Sequence, residues 1–250
     1  MHRFMQATME ILDRQEYVSW KLPKNWHVIL TTNPDNGDYN VTSLDVAQKT
    51  RFISVGLKYD KSVWAKWAET AGIDGRCINF MLMHPELVTQ SVNPRAVTTF
   101  FNAISSFKNF NQRLPMIQMI GEGSVGVDFS SMFTLFINNQ LDKLISPEDI
   151  FSKDETYVMG ALTSAIGKGD DFRADISSVI ATRIINYSLL HAETKPVTPA
   201  MIQRIIKLTT DCEAFTDDLR YYMIKEIVNG NKVKFAPLMM NNEVVKMAVK

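Results

Sequence analysis

Only two stretches of this 250-residue chain carry a β-strand signature, and both lie before residue 58. Trp26-His-Val-Ile-Leu-Thr-Thr32 is apolar and β-branched, the pattern of a buried strand, and it stops at the turn-forming run Asn33-Pro-Asp-Asn-Gly-Asp38. Phe52-Ile-Ser-Val-Gly-Leu57 is the second such run. Two strands cannot build a sheet that buries both of its faces, and a parallel sheet needs several strands joined by helical crossovers. The first sixty residues therefore call for strands that the pattern does not reveal, or for another polypeptide.

Almost everything else has helical periodicity. His2 to Asp13 carries Phe4, Met5, Ala7, Met9, Ile11 and Leu12 without an interrupting Gly or Pro. Ser43 to Lys49 predicts one or two turns, capped by Ser43 or Asp45. Helices are then predicted over 62–70, 73–83 and 94–110, the last opening on Pro94 near its first turn. Trp64 and Trp67, with Phe100, Phe101 and Phe107, fall at core spacing on these helices. Beyond Pro115 the predicted helices are 116–120, 125–138, 147–151, 155–166, 175–190, 199–208 and 215–228, with Gly167 to Asp171 as the most obvious linker. This order predicts an α/β piece over 1–60, a helical domain over 61–145 and a further helical region over 146–250.

Composition excludes several classes. Lys and Arg number 27 against 27 Asp and Glu, so no net charge draws the chain to nucleic acid or to an anionic membrane. Two cysteines, Cys77 and Cys212, are too few for a disulfide framework or a cysteine-rich zinc site. The histidines at 2, 27, 84 and 191 are scattered and lack an H-E-x-x-H context, so no metal site is predicted. The start at Met1 to Leu12 predicts no secretory leader, no run is long enough to span a bilayer, and a cytoplasmic location is the expectation.

Several motifs resemble those of one family. Leu22-Pro-Lys-Asn-Trp-His-Val-Ile-Leu-Thr-Thr-Asn-Pro34, then Tyr39-Asn-Val-Thr-Ser-Leu-Asp45, Ala47 and Arg51-Phe52, occur in an order and spacing similar to the MoxR-type AAA+ ATPases. The resemblance continues through Trp64-Ala-Lys-Trp-Ala68, Gly72-Ile73 and His84-Pro-Glu-Leu87 to Asn93-Pro-Arg95, and so covers about the first 110 residues. It implies an incomplete C-terminal part of a P-loop α/β module followed by an all-α lid and further helices. Asn33 then matches sensor 1, Arg51 the arginine finger, and Arg95 the sensor 2 arginine that also touches nucleotide. These residue types suit phosphoryl transfer, which depends on positioning and charge stabilisation. On the residues alone, Asn33 reads as a turn residue, Arg51 as a surface or salt-bridge arginine, and Arg95 as a solvated first-turn residue.

The family's phosphate loop, G-x-x-x-x-G-K-[ST], and its magnesium-holding carboxylate after an apolar strand are not found. Gly167-Lys168 has no glycine five residues upstream, and Gly121-Glu-Gly-Ser-Val-Gly126 has no lysine. The resemblance thus implies a chain that starts partway through the module, inactive alone. It would lend Asn33, Arg51 and Arg95 to an ATP and Mg2+ site completed by a Walker A/B-bearing chain in a ring oligomer that remodels protein clients. The alternative is a non-enzymatic helical adaptor that keeps only protein-binding surfaces.

Overall fold

A computed structural model describes residues 2–33, 46–89, 91–138 and 144–249. The turn run at 34–38 and the capping residues Ser43 and Asp45 lie outside the described residues. The chain divides into two compact units, Met1–Lys58 and Tyr59–Lys250.

In the first unit, α1 (His2–Arg14) ends at Gln15, whose φ of 57° turns the chain out of the helix. A two-residue hairpin follows, β1 (Glu16–Tyr17) with β2 (Trp20–Lys21), pairing Tyr17 with Trp20 and closed by Leu22 N–H donating to Gln15 O at 2.7 Å. Its turn places Val18 at φ 55°, a conformation that suits glycine and strains a β-branched residue. A short helix, α2 (Val46–Lys49), completes the described elements of this unit.

The predicted strands do not form. Residues 27–33 and 53–58 are neither helical nor part of a ladder, and the only sheet among the described residues is the β1–β2 hairpin. A strand is stable only against a neighbour that takes its N–H and C=O groups. Among the described residues neither run has one. The α/β class is therefore corrected to an almost wholly helical fold. With it falls the assignment to the MoxR-type AAA+ ATPases, because a P-loop module requires a multi-stranded sheet.

The second unit holds twelve α-helices among its described residues, built around two hydrophobic cores. The first core is aromatic and is made by α3 (Lys61–Thr70), α4 (Gly75–Met83), α5 (Pro94–Ile104), α6 (Leu114–Val125) and α7 (Val127–Asn138). Phe80 meets the edges of Phe129, Phe133 and Phe136 at centroid distances of 5.2, 5.0 and 5.4 Å, the T-shaped geometry favoured by ring quadrupoles. Trp64 is buried as the pattern predicts, but Trp67 on the same helix is half exposed. The helix starts are strongly written. Asp60 accepts from the N–H groups of Ser62 and Val63, and Asn93 from those of Arg95 and Ala96, with Pro94 at the first helical position. Gly121 has a packing role: a Cβ there would lie 2.5 Å from the Ser130 Cβ where α6 crosses α7.

The second core is aliphatic and draws on α8 (Pro147–Ser152), α9 (Glu155–Ile166), α10 (Ala174–Thr194), α11 (Pro199–Thr210), α12 (Asp217–Gly230), α13 (Ala236–Met239) and α14 (Asn242–Val249). Its buried members include Ile176, Ile180, Ile184, Ile205 and Ile227. The expected linker at Gly167–Asp171 is a tight corner: Gly167 has φ 77°, and a Cβ there would collide with the Asp171 carbonyl. Helix α10 serves both cores, giving Val179 to the first and its isoleucines to the second. No helix among the described residues is long and apolar enough to cross a membrane.

Candidate functional site

Three places have the makings of a site. The first is a polar cleft of about 370 Å³ in the second unit, lined by Glu69, Asp74, Arg76, Asn79, Glu148 and Arg183. Arg183 lies in the apolar run of α10 with only 8% of its side chain exposed. Its Nε donates to Glu69 Oε1 at 2.9 Å and its Nη1 to Asn79 Oδ1 at 3.2 Å. Burying this guanidinium requires such partners, because an unpaired buried charge is prohibitive. Gly75 makes room for it, since a Cβ there would lie 2.8 Å from Arg183 Nη2.

Beside it, Asp74 caps α4 through the Arg76 N–H at 2.9 Å and clasps the Arg76 guanidinium at 2.9 and 2.7 Å. Arg76 also lies 3.6 Å over the Phe110 ring. Burial pushes the Asp74 carboxyl up, but the Arg76 hydrogen bonds and charge outweigh it and leave the group below its ordinary value. A carboxylate held ionised by its own arginine is a poor proton acceptor. Glu69 pairs with Arg183 and Asp74 with Arg76, and the Arg183 contacts join α3, α4 and α10, so these four charges are engaged with one another.

The thiols are equally unsuited to chemistry. Burial drives Cys77 well above its ordinary value and raises Cys212 too, so neither is a thiolate at neutral pH. A second cleft of about 370 Å³, bordered by Phe172, Ser177, Leu219 and Tyr222, is predominantly apolar.

The third place is in the first unit, and it is a surface. Ile53 is 96% exposed, Leu57 95%, Ile29 85% and Val55 76%, with Trp26 and Leu30 also open to solvent. An exposed leucine is ordinary, but a concentration of large apolar groups in two short runs is the kind of surface that calls for an explanation. The runs are uncharged: from Trp26 to Asn33, and from Phe52 to Leu57, there is no Asp, Glu, Lys or Arg.

Of the residues singled out in the sequence, Asn33 ends the first run, exposed, with its carbonyl accepting from Thr32 Oγ1 at 3.1 Å. Arg51 clasps Asp13 through Nε at 2.8 and 3.0 Å and donates from Nη1 to Ala47 O at 2.6 Å, tying the end of α1 to α2. That contact holds the Asp13 carboxyl below its ordinary value. Arg95 is exposed in the first turn of α5, its backbone N–H capped by Asn93. Asn33 and Arg51 thus belong to the first unit and Arg95 to the second.

The expected ATP and Mg2+ site is corrected as well. The glycine-rich stretches are helix ends and packing points: Gly126 terminates α6 at φ 84° and Gly167 terminates α9. Among the described residues no cluster of His, Cys, Asp or Glu could hold a metal ion. The partial-ATPase function, the Walker A/B-bearing partner and the ring assembly all rested on the P-loop sheet, and none is retained. The sequence missed the Glu69–Arg183 pair, because its members are 114 positions apart. One signal was present: Arg183 is a lone cation between Ile180-Ala181 and Ile184-Ile185.

No protein-family model, no curated protein and no solved structure matches this chain.

Proposed function

We propose that this chain is a non-enzymatic protein-interaction module, a helical unit over 59–250 accompanied by a binding surface on the runs 26–33 and 52–57. One observation carries the reading: six large apolar side chains, those of Trp26, Ile29, Leu30, Ile53, Val55 and Leu57, are exposed in the first unit. The second unit, by contrast, buries two full cores. Leaving so much apolar surface in water is unfavourable by about 25 cal/mol per Å², so a partner that covers it gains that term. The suppressed thiols and the internally paired charges favour binding over catalysis. On this reading Arg51 is a structural residue that keeps α1 and α2 together through Asp13.

The test compares the wild-type chain with the triple variant Ile29→Ser, Ile53→Ser, Leu57→Ser, each produced in the source cells and sized by native gel filtration. Wild type should elute within a larger complex of fixed stoichiometry. The variant should elute as free chain with an unchanged melting temperature for the helical unit. A wild-type chain recovered only in free form would refute the module.

A further inference from the structure

The polar cleft of the second unit holds donors that its ion pairs do not use. Arg183 directs Nε to Glu69 and Nη1 to Asn79 Oδ1, while its Nη2 meets no acceptor among the described residues. Asn79 is only 2% exposed and takes the Arg183 bond on its oxygen, which leaves its Nδ2 amide without an acceptor as well. The polar atoms that are both unpaired and sealed from solvent lie elsewhere, Asn186 Nδ2 and Ser188 Oγ among them, so these two nitrogens open onto the cleft. Their residues are hydrogen-bonded to each other at 3.2 Å, which makes the two free donors neighbours. Donors this deep are costly unless something in the cleft accepts from them.

The same cleft has acceptors to spare. Glu69 gives Oε1 to Arg183 and leaves Oε2 without a donor, and the exposed carboxylate of Glu148 on α8 has neither a hydrogen bond nor an ion pair among the described residues. Around the cleft the carboxylates of Glu69, Asp74 and Glu148 outnumber the guanidiniums of Arg76 and Arg183. That excess disfavours a phosphate or a dicarboxylic acid. An amine without an acceptor oxygen would leave Asn79 Nδ2 and Arg183 Nη2 unanswered. A ligand with one carboxylate and one ammonium answers both sets.

Size and lining narrow the ligand further. A volume of about 370 Å³ is at the small end for ligand pockets. Ile73 and Leu144 add apolar wall, while Gly72 and Gly75 contribute backbone without side chains. Gly75 cannot give way to a larger residue without meeting Arg183 Nη2. This lining suits a short aliphatic side chain and not a bulky ring.

We propose that the cleft bordered by α3, α4, α8 and α10 binds a free aliphatic α-amino acid. The ligand carboxylate accepts from Asn79 Nδ2 and Arg183 Nη2, its ammonium donates to Glu148 and Glu69 Oε2, and its side chain lies against Ile73 and Leu144. Each of these contacts is with a residue of the second unit, so the site is independent of the exposed runs in the first.

The test titrates the full chain calorimetrically with L-valine, with isobutylamine, which lacks the carboxylate, and with isovalerate, which lacks the amine. Saturable binding of L-valine in the millimolar range or tighter is expected, with each half-molecule weaker by about tenfold or more. Glu148→Gln, at an exposed position, should weaken L-valine by about tenfold and leave isovalerate unchanged. Asn79→Asp keeps an acceptor for Arg183, removes the free donor and should abolish L-valine binding. In the wild-type chain the side-chain amide resonance of Asn79 should move as L-valine is added, a readout that needs no variant to fold. Absence of saturable L-valine binding overturns the proposal. So does a half-molecule that binds as tightly as L-valine, a Glu148→Gln chain that binds like wild type, or an Asn79 amide that stays still while L-valine binds. None of these outcomes bears on the interaction-module reading, which stands or falls on the gel-filtration comparison.

Discussion

The two units of this chain handle similar apolar content in opposite ways. Residues 59–250 turn theirs inward: Phe80, Phe100, Phe133, Ile180 and Ile205 are buried, and capped helices absorb the backbone. Residues 26–33 and 52–57 are no less apolar, yet their side chains and their main chain remain open. The difference comes from the kind of hydrogen bonding each pattern demands. A helix satisfies its backbone locally, so any amphipathic helix can join a core as soon as another offers a face. A strand satisfies its backbone only across to a neighbour, and within the described residues these runs have none. Hydrophobicity alone does not make a core; the backbone must be satisfied as well.

That contrast can be broken most directly at Phe80. Phe80→Ala should destabilise the helical unit by about 3–5 kcal/mol, because it empties the centre of the aromatic core. Leu57→Ser should change stability by less than about 0.5 kcal/mol. Urea unfolding followed by helical circular dichroism measures both, and a costly Leu57→Ser would show that the run is packed after all.

The two arginine–carboxylate pairs sharpen the same comparison. Glu69→Ala strands the buried Arg183 and should cost about 3 kcal/mol. Asp13→Ala breaks the solvent-exposed pair with Arg51 and should leave stability nearly unchanged. Equal losses in thermal melts would refute the burial argument.

A smaller effect belongs to acid. The carboxyl of Asp74 is depressed in the folded state, so its contribution is complete above the unfolded value of about 3.9 and is lost as pH falls through the folded value. Asp74→Asn retains a capping side chain but cannot ionise. Its stability should trail wild type at pH 6, and the gap should close below about pH 4 in denaturant titrations.

The smallest change is at the hairpin. Val18→Gly relieves a positive φ and should stabilise the turn by no more than about 1 kcal/mol, offset in part by glycine's extra freedom in the unfolded chain. Slower exchange of the Leu22 amide, which closes the hairpin, would register it.

The helices of the second unit were legible because their signals are local. Glu155–Ile166 is predicted and found with the same bounds, and Asn93-Pro94 and Thr198-Pro199 mark true starts. Trp67 shows the limit, since helical spacing puts it near the core and only the packed structure shows it half exposed. The strands were misread for a related reason. Residue pattern records what a run would do beside a neighbour, and it carries no information on whether the neighbour exists. The resemblance that assigned roles to Asn33, Arg51 and Arg95 rested on that missing sheet. The exposed surface was therefore present in the sequence as two apolar runs and invisible as a site.

Helix α10 has one more consequence. Because Val179 sits in the aromatic core while Ile176, Ile180 and Ile184 sit in the aliphatic one, one helix is a wall of both. Loosening either half withdraws a wall from the other. The two cores are therefore expected to unfold as a single thermodynamic body, and one peak in scanning calorimetry is the outcome that checks it.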